Sequence, residues 1–163
     1  MKKPTLHPND VHVIINDWET RHVGEAVCYN ADGTRRWKIP ALCKGTHGPR
    51  FDRAHSDTPP GLYLAGVVTV TQSHEPASTW NSYGKYFIDM KEQENQERRY
   101  GRAGIGWHGG GSNAPHPLAP KQPLHVTLGC VRSHNEDLET IVVPTLEQVR
   151  KRGGSMWITV NQW

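Results

Sequence analysis

The run "VHVIIND", Val11–Asp17, is apolar and β-branched and ends in turn formers. Such a run, bounded by Asn and Asp, predicts a strand. "HVGEAVCYNADGTRRWKIPAL" predicts a hairpin turning at Asn30-Ala31-Asp32-Gly33, where Asp-Gly supplies the positive φ that tight turns need. In "SDTPPGLYLAGVVTVT" a Pro-Gly turn feeds a strand over Leu62–Val70, and "KYFIDM", Lys85–Met90, predicts another. "GRAGIGWHGGG" reads as a short strand running into glycines.

From Gly109 to Gln122 the chain is rich in Gly, Pro and Ala, which predicts a surface loop across the mouth of a site. The texture then changes. "SHNEDLETIVVPTLEQVRKRGG" predicts a helix with Asn135 as N-cap, acidic residues in the first turn and Lys/Arg before Gly153-Gly154. Pro144 should kink or split it. "SMWITV" closes the chain as a strand. The expected fold is mainly β: a mostly antiparallel β-sandwich with one or two short helices.

Composition narrows this little. At 163 residues one domain, 1–163 with its core at about 11–160, is expected. Few hydrophobic residues (35%) with 16 Gly and 12 Pro suit a loop-rich β fold, and six tryptophans argue against disorder. A net charge of +3 is too weak to point to nucleic acid. The opening "MKKPTLHPND" has two lysines and no apolar run behind them, so no signal peptide is read there, and no segment is apolar enough to span a membrane. A cytosolic protein, an export route not written here and a removed leader all stay open. We assume a monomer.

The candidate chemistry centres on "PLHVTLGCVRSHNEDL". Of the three cysteines, Cys28 and Cys43 alternate with apolar neighbours and read as core thiols, although they could pair. Cys130 follows Gly129, whose lack of a side chain leaves room for a substrate carbonyl, and backbone N–H groups around Gly129 and Cys130 could face that carbonyl. Arg132 would share the face of Cys130 in a strand, lowering the thiol pKa or gripping a carboxylate with two hydrogen bonds, unless it pairs with Glu136 or Asp137. Upstream, "GWHGGG" puts His108 at a strand end beside Gly109, where it could act as base. His125 is the reserve base, and Trp107 and Trp80 are candidate groove walls. His7, His12, His22, His47, His55 and His74 are scattered and read as surface or strand residues. A zinc site from Cys130, His134, His125, His116 and His108 is a competing reading, but only Cys130 and His134 are closely spaced.

With "HGG" at 108–110, "TLGCVR" at 127–132, "NED" at 135–137 and the "DTPPGLYL" turn at Asp57–Leu64, the chain resembles the L,D-transpeptidase catalytic domain of the YkuD type. The resemblance implies Cys130 as nucleophile, His108 as general base, the Gly109 carbonyl as the group that orients its imidazole, Arg132 as substrate holder, Asn135 as a brace for the loop behind Cys130, and Thr127 as a structural hydroxyl. It implies no cofactor and no metal. It also implies peptidoglycan stem peptides as partners, a cell-envelope location, and a thioester on Cys130 resolved by an amine as a cross-link or by water as a carboxypeptidase. A wall-degrading, phage-related endopeptidase and a non-catalytic wall-binding module are the alternatives. Two departures stand out: Leu128 where many members carry histidine, and a longer, Pro-richer stretch between His108 and Cys130.

Overall fold

The computed structural model describes residues 2–71, 76–111 and 114–163. His74, and Ser112 and Asn113 of the predicted loop, lie outside the described residues. The architecture is mainly β with a few short helices. Strands β1 (Val11–Asp17), β2 (Gly24–Asn30), β3 (Arg35–Ala41), β4 (Gly61–Val70), β5 (Tyr86–Glu92), β6 (Gly106–His108), β7 (Val131–Arg132) and β8 (Met156–Gln162) join one eight-stranded sheet in the order β3-β2-β1-β8-β4-β5-β6-β7.

The predicted strand forms as β1, and its burial alternates, with Val11, Val13, Ile15 and Asp17 pointing inward. Its partners follow from that face. β2 runs antiparallel with Val13 opposite Cys28, and the last strand, β8, runs parallel with Val13 opposite Ile158. The predicted turn forms, with Gly33 at φ 89° donating its N–H to the Asn30 carbonyl at 3.0 Å. β4 lies antiparallel to β8 and to β5, with an irregularity between Ala65 and Val68. At the far end β5 pairs antiparallel with β6, and β6 parallel with β7. Leu42, just after β3, exchanges hydrogen bonds with Arg132 of β7 (2.7 and 2.9 Å). This bridge brings the two edges together and nearly closes the sheet into a barrel. Antiparallel pairing thus dominates, with parallel pairs at β1–β8 and β6–β7 within one continuous ladder.

Helix α1 is Ala77–Tyr83 and α2 is Gln96–Tyr100. The predicted helix runs continuously through α3 (Asn135–Asp137), a π turn (Leu138–Val142) and α4 (Val143–Lys151). Pro144 does not split it. Proline cannot donate a main-chain hydrogen bond, and the preceding turn widens instead, Val143 N–H reaching the Leu138 carbonyl. Leu138, Val142, Leu146 and Val149 bury one face of this helix in the core beside Val13, Ile15, Cys28 and Ile158. Trp37 Nε1 donates to Thr145 Oγ1 at 3.0 Å and ties β3 to α4. Cys28 and Cys43 are free thiols, fully buried as expected of core residues.

Candidate active site

Cys130 sits immediately before β7 and His108 ends β6, so the β6–β7 pairing brings the two together. Both line a cleft of about 460 Å³, with Thr46, Tyr83, Val126, Leu128 and Arg132 also in its wall. The wall on the predicted-loop side comes mainly from His125–Leu128. Among the described residues the 109–122 loop contributes Gly111 to it, and Gly110, Pro117, Ala119 and Gln122 are anchored to Asn135.

That anchoring corrects the reading of Asn135. It is the first residue of α3, not its cap. Its Oδ1 accepts from Gly110 N–H at 2.9 Å, and its Nδ2 donates to the carbonyls of Pro117 (2.9 Å) and Ala119 (2.8 Å). A side chain built on Gly109 would run into Asn135 Oδ1, which accounts for glycine there. Gln122, fully buried, donates from Nε2 to the carbonyls of Gly110 (3.3 Å) and Ser133 (3.1 Å) and accepts from Asn135 N–H at 2.9 Å.

His108 is 3% exposed. Its ring stacks on Phe87 (centroids 5.6 Å apart) and meets the edge of Tyr83 (4.9 Å). Nδ1 lies 2.8 Å from the Gly109 carbonyl. A carbonyl only accepts, so Nδ1 carries the proton and Nε2 is left as the basic nitrogen. Burial, helped by the positive Arg132, pushes the imidazole pKa down to about 3. At neutral pH His108 is therefore uncharged with a free lone pair on Nε2, and the same burial makes that nitrogen a weak base at rest.

Cys130 is part-exposed, with its Sγ 3.7 Å from the Gly104 carbonyl. Burial raises its pKa, while a main-chain hydrogen bond from Gly106 and the charges of Arg132 and Arg102 draw it back. Thiol and imidazole thus rest as a neutral pair. Thr127 ties the turn before the thiol, its hydroxyl accepting from Gly129 N–H (2.9 Å) and donating to the Cys130 carbonyl (2.8 Å).

Three expectations need correction. The Gly129 N–H is engaged by Thr127, so of the two suggested oxyanion donors Cys130 N–H remains. The space left by the absent Gly129 side chain is not open to substrate. Gly129 has φ 118°, and an added Cβ would strike Arg102 Nη2. Trp107 is no groove wall: it is fully buried in the core, with Nε1 donating to Ser133 Oγ at 2.9 Å.

Arg132 does line the cleft, but main-chain carbonyls occupy most of its donors. Nε donates to Gly109 (3.2 Å), Nη1 to His125 (2.7 Å) and Val126 (3.2 Å), and Nη2 to Ser82 (3.2 Å). A two-pronged grip on a carboxylate, and a pair with Glu136 or Asp137, both give way to this clamp. Burial lowers its pKa to about 10, so it stays charged at neutral pH.

His125 borders the cleft. His134 Nδ1 is turned to the Gln122 carbonyl (3.0 Å), and His116 lies in the 109–122 loop at φ 50°. Among the described residues no three His, Cys, Asp or Glu side chains gather as a metal site, so the zinc set is not assembled. Trp80 borders a different, smaller cavity, beside Leu118 and Asn135. Sequence reading missed Tyr83, Gln122 and Arg102. Only Arg102, a cation between glycines just upstream of "GWHGG", had any local signal.

No family model and no curated protein matches the chain. Solved structures share its fold. Against Bdellovibrio bacteriovorus Bd1075 the TM-score is 0.56 at 20% identity, over 91% of this chain and 47% of that one. Against the helical cell shape determining protein Pgp2 from Campylobacter jejuni it is 0.53 at 17% identity, over 94% of this chain and 48% of that one. A mutant of Pgp2 gives 0.57 at 16% identity, over 96% and 49%. The chain thus spans about half the length of these neighbours.

Proposed function

We propose that this chain is a cysteine acyltransferase that acts on peptidoglycan stem peptides, meeting them at the cell envelope. The observation that carries the reading is a part-exposed thiol sharing a cleft with a buried, neutral imidazole whose proton is fixed on the far nitrogen. Cysteine acyl transfer uses this arrangement of nucleophile, base and orienting acceptor.

In the mechanism, His108 Nε2 removes the Cys130 proton as the sulfur attacks the carbonyl carbon of an L-to-D peptide bond. Cys130 N–H donates to the developing oxyanion. Collapse breaks the C–N bond, His108 returns the proton to the departing amine of the D-residue, and a thioester remains on Cys130. An incoming amine gives a cross-link, water gives a trimmed stem, and either regenerates the thiol. Arg132 acts by holding the Gly109 carbonyl and the cleft wall in place. The substrate class rests on the resemblance of "HGG", "TLGCVR" and "NED" to the L,D-transpeptidase domain. A fold shared with a cell shape determining protein supports it.

The test is intact mass after incubation with a carbapenem, which opens on a nucleophile to leave an acyl adduct. One adduct per wild-type chain is expected, none on Cys130→Ala, and formation slowed by roughly a hundredfold or more on His108→Ala. An adduct that survives Cys130→Ala overturns the assignment of the nucleophile. Failure of wild type to turn over tetrapeptide stems overturns the substrate.

A further inference from the structure

Arg102 lies just upstream of β6, outside the resemblance motifs, and is 6% exposed. Its guanidinium makes no ion pair among the described residues. Nη1 instead donates to the carbonyls of Phe51 (3.1 Å), Arg53 (3.1 Å) and Asp57 (3.2 Å), and Nη2 donates to Ser56 (2.9 Å). Burying a cation costs free energy unless its donors are satisfied, and here one loop supplies all four acceptors. Nη2 also occupies the volume that a Gly129 side chain would fill, so the guanidinium rests against the backbone directly before the thiol.

Other groups converge on the same point. The Gly129 carbonyl accepts from Thr58 Oγ1 at 2.8 Å, and Thr58 follows Asp57 in the loop that Arg102 gathers. Two residues beyond Arg102, the Gly104 carbonyl lies 3.7 Å from Cys130 Sγ, and the Gly106 main chain draws the thiol pKa down. The 102–106 run therefore adjoins both the thiol and the glycine before it, with Arg102 at its start. The charged and titratable groups facing Cys130 are Arg102, Arg132 and, across the cleft, His108. Tyr63 and Asp57 in turn face Arg102.

We propose that Arg102 is a positioning residue for Cys130: wedged against Gly129 and bonded to four carbonyls of the 51–57 loop, it fixes the main chain before the thiol and holds a positive charge behind the sulfur. This rests on the reading of Cys130 as nucleophile, and it adds a second, non-cleft arginine to the one in the "CVR" motif. Charge without correct placement should serve only in part. Lysine cannot reach four carbonyls, and its ammonium cannot replace a flat guanidinium under Gly129.

The experiment is the pH dependence of Cys130 alkylation by iodoacetamide, read by mass on wild type, Arg102→Lys and Arg102→Gln, with thermal stability recorded beside it. Cys28 and Cys43 are fully buried, so Cys130 is the thiol reported. The inflection should move up by about one pH unit in Arg102→Gln and by about half as much in Arg102→Lys. A merely structural arginine would lower thermal stability and leave the inflection in place. Either variant, folded and less stable but with the wild-type inflection, overturns the proposal, so one folded variant suffices. No stem peptide enters the assay. A wrong substrate class would appear as absent turnover with the graded inflections intact.

Discussion

The β1–β2–β8 region and the β6–β7 end of the sheet are held together in opposite ways. In the first, apolar side chains meet across long ladders: Val13, Ile15, Ala26, Cys28, Ile158 and Val160 are all buried, and regular strand pairing satisfies the main chain. In the second, the strands are three and two residues long, and buried polar side chains do the holding. Arg102, Gln122 and Arg132, with the half-buried Asn135, all donate to main-chain carbonyls, most of them in irregular segments. Apolar burial is non-directional and tolerates substitution as long as volume is kept. Hydrogen bonds to loop carbonyls fix distance and angle, which a nucleophile and its base require. One region supplies stability and the other supplies placement.

The largest expected effect separates these roles from the apolar side. Ile15→Ala should cost about 3 kcal/mol of unfolding free energy in urea, through lost burial and the cavity left behind. Its Cys130 alkylation profile should match wild type. A shifted profile would mean that the core and the site are one cooperative device. From the polar side, Asn135→Ala leaves the Gly110 N–H and the Pro117 and Ala119 carbonyls without their partner, at a cost of about 2 kcal/mol. Here carbapenem acylation should fall by more than tenfold, because Gly110 adjoins the carbonyl that orients His108. Stability loss with acylation unchanged would erase the distinction.

The same contrast decides what could be read from the sequence. The strand at "VHVIIND" and the Asp-Gly turn were legible because a β-branched apolar run and turn chemistry are local. The neighbours of β8 were not, since a buried strand pattern does not say beside which strand it lies. Helix α1 buries no residue and α2 has five, so neither writes an apolar stripe. At the candidate site, the ties of His108 to Gly109 and of Thr127 to Gly129 and Cys130 were legible because both partners lie within one short motif. Arg132 was recognised but misjudged, since a cation in a sequence advertises carboxylates and hides carbonyl acceptors. Asn135 was misread as a cap for a related reason: its acceptors and donor lie across a loop, while capping is defined by the next turn.

A pH effect sharpens the comparison further. In the unfolded chain His108 titrates near its ordinary 6.5, and in the fold near 3. Below the ordinary value the unfolded state binds a proton that the folded state refuses. Stability is therefore complete above about pH 6.5 and falls as the pH drops toward 3, with about 2 kcal/mol lost by pH 5. His12, lowered by burial, adds to this slope, and Asp17, raised by burial, opposes it. His108→Gln should flatten the fall in urea-unfolding free energy between pH 7 and 5 by most of that amount. An unchanged slope would place the acid sensitivity outside the site.

The smallest expected effect falls where the two regions meet. Trp107 belongs to β6, next to the base, yet its ring is part of the apolar core. Among the described residues its indole N–H is tied through Ser133 Oγ to the Pro40 carbonyl, at 2.9 and 2.8 Å. Trp107→Phe keeps an aromatic ring in place and removes that tie, so unfolding free energy should drop by about 1 kcal/mol. Carbapenem acylation should stay within about twofold of wild type, because no atom of Trp107 reaches the cleft and the Gly109 carbonyl keeps its bond to His108. A tenfold loss of acylation would show that placement of the base is transmitted through the core as well as through the loop carbonyls. The division between a stabilising region and a placing region would then fail at this residue first.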